Sequence, residues 1–556
     1  MKDLPQELVD KICSYLRQEH LKKVLLLSRQ FRYSAEKFSG FFKEYTVNEN
    51  NIQEFVSRFS GRRLLYLKEV IFRPTLPPFP EHDEDAESIP CRETADEVRK
   101  RDEWFTKQIQ WLFRTLSLIE NWPENPVQGR YRLSIYSPTR KPENEWHCPH
   151  QMIVNWRVRL LKADLPLISS VQSFEIYNNY NHNGMPYYFW NGMNETSQSE
   201  LKLDLRILVD LATRFPNLEY LGIRTGGFEW CEHSGQADDP IKQYECDWPG
   251  LQRDARNSFA DALLSLYDQL PKSLRRACLD FLNPLSRAFE IAHSKPLPDL
   301  VGPLKHDAFS SSLRLLGSNL RRLQLRCMID ESIFSLDSTA IIWPNLEQFE
   351  LMFHIVRPDG TWYFQGFDGR GHESVGFPVT NAHYPPYETT EADEDLDAEL
   401  DNWRKVSPAR TAIRFRIVPN HRLRPLLEGF GKAAMQMRYL KEAIIWCPLL
   451  CDDEDSWDHG GSNDGAWGIR YTDSGRWFTE LGRSKSPDSG RRLEWWTLSW
   501  RPDPELHNLY RQIGCSRLGE GLEELWTDDL VKDSAVRLGL FEDGEFGDDP
   551  GCIHPL

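Results

Sequence analysis

Residues 320–325 read Leu320-Arg321-Arg322-Leu323-Gln324-Leu325, apolar at the first, fourth and sixth places and polar between. In an extended chain successive side chains point to opposite faces, so Leu323 and Leu325 share one face while Arg322 and Gln324 take the other. The stretch reads as a strand with one buried side. Its spacing returns at Leu67-x-x-Val70-x-Phe72, Val171-x-x-Phe174-x-Ile176, Leu218-x-x-Leu221-x-Ile223, Leu274-x-x-Ala277-x-Leu279, Leu346-x-x-Phe349-x-Leu351 and Leu440-x-x-Ala443-x-Ile445. Seven copies mark an internal repeat. Asn217, Asn319 and Asn345 each stand just before the first apolar residue of a copy. Helical apolar patterns such as Leu205-Ile207-Leu208-Leu211-Ala212 and Phe259-Ala262-Leu263-Leu266-Tyr267-Leu270 precede the strands. The unit is therefore helix, short turn, strand.

The copies resemble the strand segment of a leucine-rich repeat. Their intervals are irregular: 47 residues from Val171 to Leu218, 56 to Leu274, 46 to Leu320 and 26 to Leu346. Only the last lies in the usual range of about 20–29 residues. The spacing thus predicts a degenerate solenoid over residues 46–450 with long insertions, the competing reading being a more globular α/β domain whose strands share a period of two. Residues 74–103 carry Pro77-Pro78-Phe79-Pro80 and the acidic run Glu81–Glu87, and residues 357–410 are rich in Gly, Pro and Tyr before the acidic run Glu391–Glu399. Both read as partly mobile insertions, because so little apolar surface cannot offset the entropy of ordering.

At the N-terminus, Asp3 is placed to cap a helix, with Gln6 three residues on and Pro5 in the first turn, where its missing N–H costs nothing. Leu8, Ile12 and Leu16 then recur at i, i+4 and i+8, one stripe of a helix. After the polar break Gln18-Glu19-His20, a second helix is expected from Leu21 to Phe31. Its consecutive Val24, Leu25, Leu26 and Leu27 leave it apolar on almost every side. A unit of about forty-five residues is too small to bury all of this alone, so it should dock on something.

The order Leu4-Pro5-x-Glu7-Leu8-x-x-x-Ile12-x-x-x-Leu16, then Leu21, then Leu27-Ser28-Arg29-Gln30-Phe31-Arg32, resembles the F-box over residues 1–45. Phe31 stands where that family more often has Trp. The resemblance implies a three-helix unit that binds a Skp-type adaptor, and through it a cullin–RING ubiquitin ligase. Leu4, Pro5, Leu8, Ile12, Leu16, Leu21 and Val24 would contribute to the adaptor face, and the rest of the chain would select an unknown protein substrate. The alternatives are a helical hairpin that merely caps the next domain, an F-box scaffold outside any ligase, and a ligand-sensing solenoid.

The expected fold class is α/β: an N-terminal three-helix unit, an irregular leucine-rich-repeat-type solenoid, and a Trp-rich cap over residues 451–556. Length agrees, since 556 residues exceed a usual single domain. Hydrophobic residues make 40% and the 19 Trp far exceed what a disordered chain carries, so the chain folds. Against 67 basic residues stand 84 acidic ones, a net −17 that argues against a general binder of nucleic acid or anionic membranes. No stretch of about eighteen apolar residues occurs, which points to the cytoplasm or nucleus. The 11 scattered Cys read as reduced, buried thiols.

Chemistry is sparse. There is no G-x-x-x-x-G-K-[ST], no H-E-x-x-H and no G-x-S-x-G, so no catalytic role and no cofactor is expected. His147-Cys148-Pro149-His150 lacks a second ligand pair at zinc-site spacing, and Cys447 and Cys451 read as buried or loop thiols. Trp467, Trp477, Trp495, Trp496 and Trp500, beside Arg491, Arg492 and Arg501, could shield the end of the solenoid or form a ligand pocket.

Overall fold

A computed structural model describes residues 4–77, 92–122, 130–140, 156–178, 199–200, 202–230, 248–283, 285–289, 291–316, 319–334, 343–391, 413–451, 463–473 and 490–527. Twelve strands form one open sheet: β1 (Glu44–Val47), β2 (Glu69–Phe72), β3 (Tyr131–Tyr136), β4 (Val171–Tyr177), β5 (Tyr220–Gly226), β6 (Arg276–Asn283), β7 (Arg322–Cys327), β8 (Gln348–Phe353), β9 (Glu442–Cys451), β10 (Asn463–Thr472), β11 (Arg491–Trp496) and β12 (Leu522–Thr527). They lie side by side in chain order, parallel except where β10 runs against β9 and β11. The fold is mixed α/β around a large, mostly parallel sheet, not a closed barrel. All seven copies of the repeat are strands of this sheet, and β3 is an additional one.

Pairing puts the copies in step. Val70, Leu133, Phe174, Leu221, Ala277, Leu323, Phe349 and Ala443 are successive cross-strand partners from β2 to β9. Two residues on, Phe72, Ile135, Ile176, Ile223, Leu279, Leu325, Leu351 and Ile445 form a second row. Every member of both rows is buried. A shift of one residue in any strand would turn its apolar set to the other face, so the pattern itself dictates the register.

Helices Ala95–Glu120, Arg206–Ala212, Pro249–Leu266 and Leu423–Gln436 cover this inner face, while three helices within residues 6–38 stand apart at the N-terminus. Aromatics of the helices and of the turns after them pack on the sheet. Phe215 lies 5.1 Å from Phe174, Phe430 stacks on Phe349 at 5.5 Å, and Phe259 meets Phe281, two residues beyond the second row, edge-on at 5.7 Å. The asparagines seen in the repeat reach back to the preceding turn: Asn217 Nδ2 donates to the Ser169 carbonyl at 3.0 Å, and Asn319 Nδ2 to the Lys272 carbonyl at 3.1 Å. Each satisfies a turn carbonyl that the sheet cannot pair.

The outer face carries polar pairs beside a second, separate apolar cluster that includes Met352, Ile444 and Trp446. Glu175 accepts from Arg224 at 3.0 Å, Gln324 donates to Glu350 at 3.0 Å, and Arg470 meets Glu442 at 2.7 Å. Gly222 sits where a Cβ would come within 2.8 Å of the Glu175 side chain, so only glycine leaves that carboxylate its place.

Two expectations are corrected. The segment after Arg357 is not a loose insertion at its start, because Trp362, Tyr363 and Phe364 are buried in the main core. Residues 95–103 belong to the Ala95–Glu120 helix, opened by a capping box between Thr94 and Glu97, rather than to an insertion. The acidic runs themselves, Glu81–Glu87 and nearly all of Glu391–Glu399, lie outside the described residues.

Because Leu325 belongs to the buried row and Gln324 to the polar face, Leu325→Ala should cost about 2–5 kcal/mol. Gln324→Ala should cost under about 1.5 kcal/mol. Denaturant unfolding of the two variants measures both, and equal losses would contradict the assigned register.

Candidate functional site

The N-terminal helices α1 (Gln6–Ser14), α2 (Gln18–Val24) and α3 (Arg29–Phe38) form a unit with its own small core of Val9, Cys13, Leu21, Phe31 and Ala35. Two adjacent apolar stripes of the first helix part ways. Val9 and Cys13 point inward, while the neighbouring stripe, Leu8 and Ile12, faces solvent at 48% and 42% exposure. The second helix is shorter than expected: it ends at Val24, and Ser28 caps a third helix by accepting the Phe31 N–H at 3.3 Å. Pro5 precedes the first helical residue instead of lying in its first turn, and no side chain caps that helix. Asp3 lies outside the described residues.

The seven residues that the F-box resemblance assigns to a partner face divide. Pro5, Leu8 and Ile12 are exposed, Leu4, Leu16 and Val24 are half-buried at the edge of the small core, and Leu21 is buried within it. Leu21 therefore supports the surface from beneath. Sequence reasoning left out Tyr15, Leu26 and Leu27, exposed at 78%, 94% and 55%. The signal was present in the four-residue apolar run: a turn following α2 can send only some of Val24–Leu27 inward, and Leu25 is the one that packs alongside Val24. Exposed leucines are ordinary singly, but Leu8, Ile12, Leu26 and Leu27 on one small unit form a concentration that needs a reason.

Polar contacts hold the unit together and to the sheet. Lys37 Nζ meets Asp10 Oδ2 at 2.9 Å, Ser34 Oγ donates to the same carboxylate, and Gln6 Nε2 donates to its Oδ1 at 2.9 Å. Burial works to raise the Asp10 pKa, but these hydrogen bonds together hold it below the usual value. Glu36 accepts from Arg63 Nη2 at 2.7 Å, and the Arg62 guanidinium lies 3.6 Å from the Tyr33 ring centre. The unit is thus anchored by its third helix, leaving α1 and the turn after α2 uncovered by the rest of the described chain.

Among the described residues, the indoles and arginines of the Trp-rich tail are engaged within the chain. Trp467 and Trp495 are fully buried, and Trp495 stacks on Trp526 at 4.7 Å. The three arginines are engaged by the chain itself. Arg491 donates to the carbonyls of Arg511 and Ile513 at 2.8 and 2.7 Å. Arg492 pairs with Glu523 at 2.9 Å, and Arg501 lies 4.5 Å from the Trp526 ring centre. Residues Arg491–Trp496 form a strand, and Leu493 and Trp495 fill its inner side. Trp477 lies outside the described residues, as do His147, Cys148 and His150.

Among the described residues, no three His, Cys, Asp or Glu side chains are placed to share a metal ion. Cys278, Cys327 and Cys447 are buried, and burial pushes each thiol well above its usual pKa, away from the thiolate that a nucleophile needs. Among the described residues no helix is long and apolar enough to cross a membrane. No family model matches this chain, and no curated protein does.

Two outcomes follow. Leu8→Asp should leave stability within about 0.5 kcal/mol of wild type, whereas Val9→Asp buries an unpaired charge and should unfold the unit. Rapid tryptic cleavage at Lys11 to Lys37 in the second variant alone is the readout. Because the folded-state pKa of Asp10 is depressed, its stabilisation is complete above the unfolded value of about 3.9 and is lost as pH falls through the folded value. Acid resistance of the unit, followed by the same cleavage after brief exposure to pH 2–4, should be less pH-dependent in Asp10→Asn.

Proposed function

We propose that the chain is the substrate-recognition subunit of a Skp–cullin–F-box type ubiquitin ligase. Residues 1–45 form an F-box that docks a Skp-type adaptor, and the sheet region is an irregular leucine-rich-repeat-like solenoid that holds a protein substrate. The observation that carries this reading is the pairing of Leu8 and Ile12 with Leu26 and Leu27 on a small helical unit whose own core is already filled. Burying one such leucine or isoleucine in a partner contributes about 1.5–3 kcal/mol, so four supply enough for a specific complex.

The mechanism is proximity. Fixing a substrate on the same rigid body as the ligase raises its effective concentration at the ubiquitin donor, and this chain forms no covalent bond with either. Such a receptor works where ubiquitin ligases work, in the cytoplasm or nucleus.

The test is co-purification from cells of tagged full-length chain and its Leu8→Asp/Ile12→Asp variant. The wild type should bring down a Skp-type adaptor and a cullin. The variant should lose both while its thermal unfolding is unchanged. Equal adaptor recovery by the two proteins would overturn the reading, and adaptor without cullin would make the chain a scaffold instead.

A further inference from the structure

The exposed apolar surface of the N-terminal unit is bordered by cations. Lys22 and Lys23 stand four residues before Leu26 and Leu27, in a chain that keeps turning past the end of α2, where the Leu27 N–H donates to the Val24 carbonyl at 3.1 Å. That spacing brings each lysine to the side of its leucine. Arg29 stands two residues after Leu27, Lys11 lies one turn after Leu8 on α1, and Arg17 is the residue that opens α2. All five are exposed.

Among the described residues none of these five stands in an ion pair, whereas the nearby carboxylates are largely taken: Asp10 by Lys37, and Glu36 by Arg32 and Arg63. From Lys11 to Arg29 the chain carries five cations against one carboxylate, Glu19, which lies 3.9 Å from the His20 imidazole. Glu7, exposed one turn before Lys11, offsets at most one of the five. In a chain of net −17, solvation alone does not call for this sign, since glutamates would wet the surface equally well. A single exposed lysine is ordinary. Five uncancelled cations around Leu8, Ile12, Leu26 and Leu27 set a charge for whatever covers those side chains.

We propose that the protein docked on this face presents carboxylates around an apolar groove, and that those carboxylates guide it in. This partner assignment rests on reading residues 1–45 as a docking unit. Exposed ion pairs add little to a finished complex, but their field reaches about 10 Å at 0.1 M salt, so the cations act on the rate of association. Burial of the four apolar side chains then governs the rate of dissociation. An anionic lipid surface shares the required sign. Here, however, the apolar side chains come from a nine-residue helix and a separate turn rather than from one continuous amphipathic helix, and the net −17 opposes approach to such a surface.

Biolayer interferometry of the full-length chain with a recombinant Skp-type adaptor tests the proposal. The wild-type association rate should fall about tenfold or more between roughly 0.05 and 0.5 M salt, while the dissociation rate changes less than about threefold. At the lower salt Lys22→Glu/Lys23→Glu should slow association about tenfold, and the gap from wild type should shrink at the higher salt. Lys107→Glu/Arg114→Glu, the same change of charge at exposed positions of the Ala95–Glu120 helix, should leave the rate within about twofold. If the first variant does not fold, Lys22→Gln/Lys23→Gln should still slow association severalfold. Salt-independent association, or equal slowing by the two charge-reversed pairs, would overturn the proposal; with binding still abolished by Leu8→Asp/Ile12→Asp, the F-box reading would stand. Absence of wild-type binding at both salts would end the two together. Co-sedimentation of the chain with vesicles of equal parts phosphatidylcholine and phosphatidylserine, lost in Lys22→Glu/Lys23→Glu, would assign the patch to a lipid surface and overturn the proposal as well.

Discussion

Stacking of apolar side chains along the sheet is the constraint from which the rest of the architecture follows. Each strand from β2 to β9 contributes two residues to rows that run the length of the sheet, Val70 to Ala443 and Phe72 to Ile445. Parallel neighbours demand a return connection between every pair, and a buried inner face demands that those connections carry apolar helices. The opposite face takes the alternate residues, and there paired charges such as Glu175 with Arg224 stand beside a second apolar cluster around Met352 and Trp446. Inner rows and outer pairs are two consequences of one alternation.

The N-terminal unit obeys a different economy. Its core is five residues deep, closed on itself, and tied to the sheet by Glu36–Arg63 and by the Arg62–Tyr33 stack more than by shared apolar surface. A body so small cannot hide all of its leucines, and those it leaves out lie on α1 and on the turn after α2. That exposed apolar surface is what the proposed docking of a second protein would use.

Much of the sheet was legible in advance, because period-two burial leaves its mark directly on a sequence. Seven of its strands carry Leu-x-x-Leu-x-Leu spacing. Tyr131–Tyr136 escaped notice since an aromatic stands two residues before Leu133, where the pattern wants an aliphatic three before. Helix phase was harder: Leu8-Val9 and Ile12-Cys13 are adjacent stripes of similar hydrophobicity, and only the position of Phe31 and Ala35 decides that Val9 and Cys13 turn inward. Leu21 was assigned to the surface by the resemblance alone, and it lies in the small core. The tail left a terminal cap and a ligand pocket both open, since Trp suits a core and a pocket equally. Its arginines suggested the pocket, whereas Arg491 caps the carbonyls of Arg511 and Ile513 inside the protein. Composition cannot say whether an arginine faces water or backbone.

The claim at the centre of this account is that α1 and the turn after α2 are a docking face for a foreign subunit. Hydrogen exchange of the full-length chain, with and without a recombinant Skp-type adaptor, tests it residue by residue. The account predicts slowed exchange between Leu8 and Leu27 on adding adaptor and unchanged exchange in the sheet strands. Unaltered exchange from Leu8 to Leu27 at saturating adaptor would contradict it.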